Sequence, residues 1–357
     1  MSSPTDKHHA AVLSRKGKEL TIIERETPTP GPNEVVIQVN SIALNPVDHI
    51  QQSMGFRVPS YPYILGFDVS GTISSIGSAV ATLKVGDRVA ALATSWFDKL
   101  PQFGAYQSFV LVPAIQVTLI PSTLPFNEAS ILPLALYTAW FALDAINVSR
   151  DVIFEEKDKK AILIWGVGGS VGSVALQIAK SLGFNVYATA SSKHHSYLQE
   201  LGKGPGKVRL FDYKDKDVVK KIVTAVSEDG LLLDIGIEAA AGNLPEIISI
   251  LNKTKGNISK AKIASAPFSF SMLWHTMIFP SFFSGVIVKF VNAPEDPVVR
   301  NEYFSFIFNN WLPKKLQSEE FIPSPKVQVV GSGLASLQIG LVELKKGVSG
   351  VKLVVEV

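Results

Sequence analysis

The stretch Ala161–Lys180, AILIWGVGGSVGSVALQIAK, decides how this chain reads. Ala161–Trp165 is a short apolar run of the kind that forms a buried parallel strand, and Ser173–Lys180 carries Val174, Leu176, Ile178 and Ala179 at helical spacing. Strand, glycine turn, helix is the setting that a dinucleotide-binding fingerprint requires. Gly166 permits a tight turn, Gly169 lets backbone N–H groups approach a pyrophosphate, and Gly172 allows close helix–strand packing. The helix N-terminus adds partial positive charge. The glycines run G-x-G-G-x-x-G, slightly off the six-residue pattern, and a turn of this kind also serves as a plain bend in α/β proteins. With its flanks, the stretch predicts a cofactor cradle made of Gly166, Gly168, Gly169, Ser170, Val171 and Gly172.

Composition sets the outer limits. At 357 residues the chain is too long for one ordinary core, so two domains are expected. With 46% hydrophobic and 18% charged residues it is a globular chain, not a disordered one. A formal charge of +3 with scattered lysines forms no basic stripe and argues against nucleic acid as a partner. There is no cysteine, which excludes disulfides, thiolate catalysis and every zinc site that needs a thiolate. The opening MSSPTDKHHA has no apolar core of a secretory signal, a cytoplasmic location is expected, and His8–His9 reads as part of a mobile tail. Pro267–Val291 is apolar but interrupted by Pro280 and Gly285, and falls short of a membrane span.

Along the chain, Ala10–Val12 and Leu20–Ile23 read as a strand pair, followed by a proline-rich connector at Thr27–Asn33 and strands at Glu34–Ala43, Val69–Ile76 and Gly104–Pro113. Asn127–Ile146 reads as a helix capped by Asn127 and bent or interrupted at Pro133. From Ala161 the pattern alternates. Strands are predicted at Asn185–Thr189, Val208–Phe211, Leu231–Ile235, Ala261–Ala264 and Gly285–Val291, with helices at Asp215–Ser227 and Asn243–Asn252. Such alternation implies a doubly wound parallel sheet, so the fold class is α/β. Val299–Trp311 and Gly333–Lys346 read as helices, and Lys352–Val357 as a closing strand that returns to the first domain.

The order of the motifs NPVD (Asn45–Asp48), GFDVSG (Gly66–Gly71), VGDRV (Val85–Val89), GAYQSFV (Gly104–Val110), the turn Gly166–Gly172 and GVSGVKLVV (Gly347–Val355) resembles the medium-chain dehydrogenase/reductase superfamily over essentially the whole chain. The resemblance implies a GroES-like β-rich catalytic domain at 1–126 and 293–357, a Rossmann domain that binds NADP at 127–292, and an active site in the cleft between them. In the zinc-dependent branch a Cys stands at the place of Asn45 and a His-Glu pair at Phe67-Asp68, and four cysteines hold a structural zinc in the span that here runs from Val89 to Gly104. None of those cysteines and no such histidine is present, so the metal-free quinone-oxidoreductase and enoyl-reductase branch is the match, including the fungal trans-acting enoyl reductases of polyketide assembly.

Cofactor preference is read after the second Rossmann strand. An Asp or Glu there would accept the ribose hydroxyls of NAD, but Ala188–Lys193 ends in Ser191, Ser192 and Lys193 with no neighbouring acid. Hydroxyls and an ammonium suit a 2′-phosphate, which predicts NADPH, and the resemblance places Tyr213 beside that phosphate and adds Glu238 and Lys352 to the cofactor set. The same residues also read as an ordinary polar strand end. For catalysis the resemblance implies hydride transfer to an enone or 2-enoyl thioester, with Asn45 as a donor near the nicotinamide, Asp48 organising its loop and Thr138 placing a hydroxyl near the cofactor. Asp48 reads equally as a loop cap, and Thr138 as a helix residue bonding its own backbone.

The tyrosine acid that some enoyl reductases carry after this motif is missing: Ile50 and Phe56 stand there, Tyr61 and Tyr63 come later, and His49 is a substitute at most. Water is then the expected proton donor. Phe-rich Pro267–Gly285 and Val299–Trp311 fit core packing, a wide apolar substrate pocket or a dimer interface. Monomer and homodimer both stand, as does a partner synthase. A quinone or carbonyl reductase, or a non-catalytic nucleotide-binding protein, remains open beside the enoyl reductase.

Overall fold

The computed structural model describes residues 7–267 and 285–357, and the predicted aromatic segment Pro267–Gly285 falls almost wholly outside the described residues. The chain divides into two compact units, Met1–Leu134 with Glu295–Val357, and Ala135–Pro294.

In chain order, the first unit supplies β1 (Lys7–Leu13), β2 (Leu20–Glu26), β3 (Glu34–Ala43), helix α1 (Pro46–Met54), β4 (Tyr63–Ile64), β5 (Asp68–Ile76), β6 (Arg88–Leu92), helix α2 (Ser95–Asp98), β7 (Phe109–Pro113), β8 (Val117–Leu119) and helix α3 (Phe126–Ser130). Helix α4 (Pro133–Ala145) leads into the second unit, where β9 (Ala161–Trp165), α5 (Ser170–Ser181), β10 (Asn185–Ala190), α6 (His195–Leu201), β11 (Val208–Asp212), α7 (Val218–Glu228), β12 (Ile235–Glu238), α8 (Leu244–Thr254), β13 (Ala261–Ser265) and β14 (Val286–Phe290) alternate. The chain then returns to the first unit with α9 (Pro297–Phe304), α10 (Leu312–Gln317), β15 (Lys326–Ser332), α11 (Ser336–Lys346) and β16 (Val351–Glu356).

In the first unit, β15-β16-β3-β5-β6-β8 form one sheet with β7 also paired to β3, and β2-β1-β4 form a second. Their buried faces share a core that includes Leu13, Ile37, Ile42, Tyr63, Val69, Tyr106 and Leu353. The second unit is a Rossmann sheet in the order β11-β10-β9-β12-β13-β14, with every pairing parallel. Helices α7 and α8 bury Ile222, Val226, Ile247 and Leu251 against Leu163, Trp165 and Ile263. All strand C-termini of this sheet lie at one end, the end where nucleotides bind in such folds.

Several expectations change on folding. His8 is no tail residue: it lies in β1, 3% exposed, with Nε2 3.0 Å from Gln107 Oε1 and Nδ1 3.2 Å from Thr27 Oγ1. Those two side-chain partners, far along the chain, satisfy a polar ring that local sequence leaves unpaired. Of the two outcomes open at Pro133 the helix from Asn127 takes interruption: Pro133 lacks the N–H that a continuing helix needs and instead opens α4. Pro125, not Asn127, stands at the N-cap of α3, while Asn127 accepts from Ser41 Oγ at 2.5 Å and donates to Glu356 Oε1 at 2.7 Å. The strand expected at Leu231–Ile235 lies later, at Ile235–Glu238, because Gly236–Glu238 is the segment in register with Leu163–Trp165. A glycine in mid-strand hides that segment from a β-propensity reading. Val299–Trp311 is α9 followed by a π-helical stretch, Ser305–Trp311. Phe304 and Phe308 there are buried, so for these two the core-packing reading holds.

The glycine turn divides its labour. Gly166 has φ of 97°, in the left-handed region, and a Cβ on Gly172 would lie 2.3 Å from Gly166 O. A Cβ on Gly169 meets nothing nearer than 3.8 Å. Gly172→Ala should therefore lower the unfolding free energy by about 1–3 kcal/mol through overpacking. Gly169→Ala should cost less than about 1 kcal/mol, the loss expected at a helix N-cap. Denaturant titration of both variants measures the difference.

Candidate active site

The first unit contains a buried polar cluster built by three neighbouring segments. Ala43 of β3 pairs with Asp68 of β5 on one side and with Val354 of β16 on the other. Asn45 follows two residues after Ala43, and Lys352 precedes Val354 by two, so continuing the antiparallel register brings Lys352 opposite Asn45. The bond from Leu44 N to Leu353 O, 2.9 Å, holds that continuation. Asn45 is the N-cap of α1, Pro46 opens the helix, and Asp48 Oδ2 reaches back to accept from Asn45 N at 2.8 Å.

With its backbone fixed in this way, Asn45 turns its amide to the ions. Its Nδ2 donates to Asp68 Oδ2 at 2.9 Å, and its Oδ1 accepts from Lys352 Nζ, which also lies 3.4 Å from Asp68 Oδ2. Asp68 Oδ1 accepts from Leu134 N at 2.7 Å. Tyr106 donates its hydroxyl to Asp48 Oδ2 at 2.9 Å. All five side chains are buried. Burial, outweighing the hydrogen bonds from Asn45 and Tyr106, pushes the Asp48 carboxyl up to about 7. Burial raises Asp68 as well, against the pull of Lys352, and burial with the neighbouring Asp48 raises Tyr106. Asp48 Oδ1 is buried with no partner among the described residues, so it adds nothing to offset that burial.

The cluster brings together Asn45 and Asp48, and adds Asp68 and Tyr106, which the sequence reading does not single out as site residues. Lys352 was assigned to the cofactor, yet its ammonium is committed to Asn45 and Asp68. Asp68 and Tyr106 lie in motifs that carry the resemblance, but their partners stand far along the chain, so nothing local marks them as members of a site. Thr138 lies half-buried on α4, in the second unit. His49 is partly exposed, and burial lowers its pKa.

In the second unit, Gly169 is the N-cap of α5 and offers no side chain to its first amides, so backbone N–H groups at Ser170, Val171 and Gly172 begin a helix whose N-terminus has no side-chain cap. Such an end suits a phosphate. Glu238, at the end of β12, is fully buried, accepts from Ser265 Oγ at 2.6 Å and Asn243 N at 3.2 Å, and is raised in pKa chiefly by burial. It ties the ends of β12 and β13 and the turn before α8.

Ser191 precedes a short turn over Ser192–His194 at the end of β10, and Lys193 is exposed. The expectation that no acid stands nearby is corrected by the register: Ala190 pairs with Asp212, whose carboxylate accepts from Ser192 N at 3.2 Å and Lys214 N at 3.0 Å. Those bonds, Lys214 N first, hold Asp212 below the usual carboxylate range. Asp212 is therefore spent on those amides and on the Ser192 side chain, and it gathers Ser192 and Lys214, with Lys193 and exposed Tyr213 beside them, at one corner of the sheet.

Residues 31–122 match the alcohol dehydrogenase GroES-like domain. The chain is 39% identical to the trans-enoyl reductase tndF of Aspergillus flavipes, with 98% of each chain covered. It is 43% identical over 268 residues to the trans-enoyl reductase tazE of Aspergillus terreus, covering 74% of this chain and 87% of that one. Among solved structures, the CurK enoyl reductase superposes with a TM-score of 0.73 at 21% identity, covering 99% of each chain. An alcohol dehydrogenase superfamily protein from Novosphingobium aromaticivorans gives 0.77 at 22%, covering 98% of this chain and 99% of that one. The chain is an oxidoreductase of the medium-chain dehydrogenase/reductase superfamily, and belongs there with the trans-enoyl reductases. Among the described residues no helix is long and apolar enough to cross a membrane, and no group of three or more His, Cys, Asp or Glu side chains is placed to hold a metal ion.

The Asp48 shift carries a sign. Its folded pKa of about 7 lies above the ordinary 3.8, so its contribution to stability is complete below about pH 4 and is lost as pH rises through 7. Asp48→Asn cannot ionise. The stability of wild type relative to Asp48→Asn should fall between about pH 4 and about pH 8, as read from denaturation midpoints across that range.

Proposed function

We propose that this protein is an NADPH-dependent, zinc-independent reductase that adds hydride to the activated C=C bond of a hydrophobic enone or 2-enoyl thioester, in the cytoplasm and in the service of secondary metabolism. The observation that carries the reading is the Asn45 amide, held in one orientation by Lys352 and Asp68 inside a chain whose 39%-identical relative is a trans-enoyl reductase. Residues 1–126 and 293–357 act as the catalytic domain and 127–292 as the cofactor domain.

A bound nicotinamide cofactor supplies the hydride. Gly166, Gly168 and Gly169 admit its pyrophosphate to the backbone amides of Ser170, Val171 and Gly172. Ser191, Ser192, Lys193 and Tyr213 would hold its 2′-phosphate, on loops set by Asp212. Asn45 donates to the substrate carbonyl oxygen as negative charge grows there, and Asp48 holds Asn45 through the N-cap. Thr138 offers a hydroxyl toward the cofactor. Water completes the reaction by protonating the α-carbon.

NADPH deuterated at its transferable hydrogen, incubated with enones, enoyl thioesters, quinones and aldehydes, should leave label on a β-carbon. Label on a carbinol carbon, or oxidation by quinones alone, would give the site to carbonyl or quinone reduction instead. Lys193→Glu should weaken NADPH binding at least about tenfold while changing NADH binding little, the difference expected of a charge reversal beside a phosphate. An equal loss for both, by fluorescence titration, removes Lys193 from phosphate recognition. Gly169→Val, whose Cβ would meet nothing nearer than 3.8 Å, should abolish NADPH binding by setting a branched side chain against the pyrophosphate. Retained affinity in the folded variant would make the turn purely structural.

A further inference from the structure

Asn45 is an unusual amide because chemistry, not only geometry, dictates which end points where. Lys352 can only donate and the Asp68 carboxylate only accepts, so reversing the amide would set NH2 against ammonium and oxygen against carboxylate. Neither ion can drift. The Asp68 side chain is 0% exposed and is pinned by Leu134 N, and the Lys352 side chain is 5% exposed with β16 fixing its backbone. At such burial the ammonium acts on the amide through a weakly screening medium. A cation on the carbonyl oxygen draws electron density from the nitrogen and strengthens its N–H groups as donors, the cooperative effect seen in hydrogen-bond chains. One Nδ2 hydrogen goes to Asp68, and the other has no partner among the described residues.

We propose that Lys352 is a positioning residue for the reductase reaction: a buried internal ammonium that orients and polarises the Asn45 amide, so that its remaining N–H is ready for the enolate oxygen. This rests on the reading of Asn45 as the enolate donor. Lys352 touches neither cofactor phosphate nor reacting carbon in this scheme; it acts through Asn45. Asp68 supplies the opposite charge that makes a buried ammonium tolerable and fixes the other end of the amide.

Comparing Lys352→Met with the double variant Lys352→Met/Asp68→Asn separates this role from that of a structural ion pair. Lys352→Met leaves Asp68 buried and unpaired, so it should lower the denaturation midpoint and slow single-turnover hydride transfer from NADPH to an enone by about a hundredfold, the loss typical of one oxyanion donor. Removing both charges should restore the midpoint, because a buried pair deleted together costs little. The transfer rate should nevertheless stay about a hundredfold down, with the NADPH dissociation constant within about threefold of wild type. The Asn45 side-chain amide resonances in 15N NMR should move upfield in both variants as the polarising charge is lost. A double variant that regains the wild-type rate along with its stability overturns the proposal, as does an Asn45 amide resonance that stays in place when Lys352 is removed. A wild-type protein that reduces no enone or thioester would sink the functional reading instead, while the Asn45 resonances still report on Lys352.

Discussion

The first unit depends on a buried ammonium and carboxylate that share one amide. Lys352, Asp68 and Asn45 come from β16, β5 and the start of α1, and none of the three could be buried alone without a cost of several kcal/mol. Together they solve one another's desolvation. The same contacts stitch the last strand of the chain to segments some three hundred residues earlier, so closing the sheet and assembling the cluster are one event. A polar core of this kind specifies register, because a slip of one residue along β16 would carry Lys352 to the opposite face.

The second unit solves a different problem. Its parallel strands bury both faces, and their shared C-terminal end collects whatever the loops carry. Gly172 brings α5 against the turn after β9, Glu238 anchors the turn before α8, and Asp212 anchors the loops after β10 and β11. Two of these anchors are carboxylates that accept from backbone amides, so their negative charge is spent on shaping loops at that end of the sheet. An acid at the edge of such a sheet is therefore a poor indicator of cofactor preference until the groups that donate to it are accounted for.

Much of the architecture was legible because its signals are local. A five-residue apolar run, a glycine turn and an amphipathic helix announce β9 and α5 whatever surrounds them, and the alternation after Ala161 announces a parallel sheet. Where elements moved, a longer-range partner outbid the local signal. Gly236 lies in a strand because Leu163 is beside it, and His8 is ordered because Gln107 and Thr27 receive its ring.

The sequence by itself determined the family, the two kinds of fold and the strand, glycine turn and helix of β9 and α5, since each rests on residues close in the chain or on a motif order that survives without coordinates. Only the tertiary structure decided that Lys352 serves Asn45, that Tyr106 donates to Asp48, and that Asp212 lies under Ser192. Those facts depend on strand register and burial. Register joins residues with no relation in sequence, and burial turns an ordinary lysine and carboxylate into a pair that must find each other.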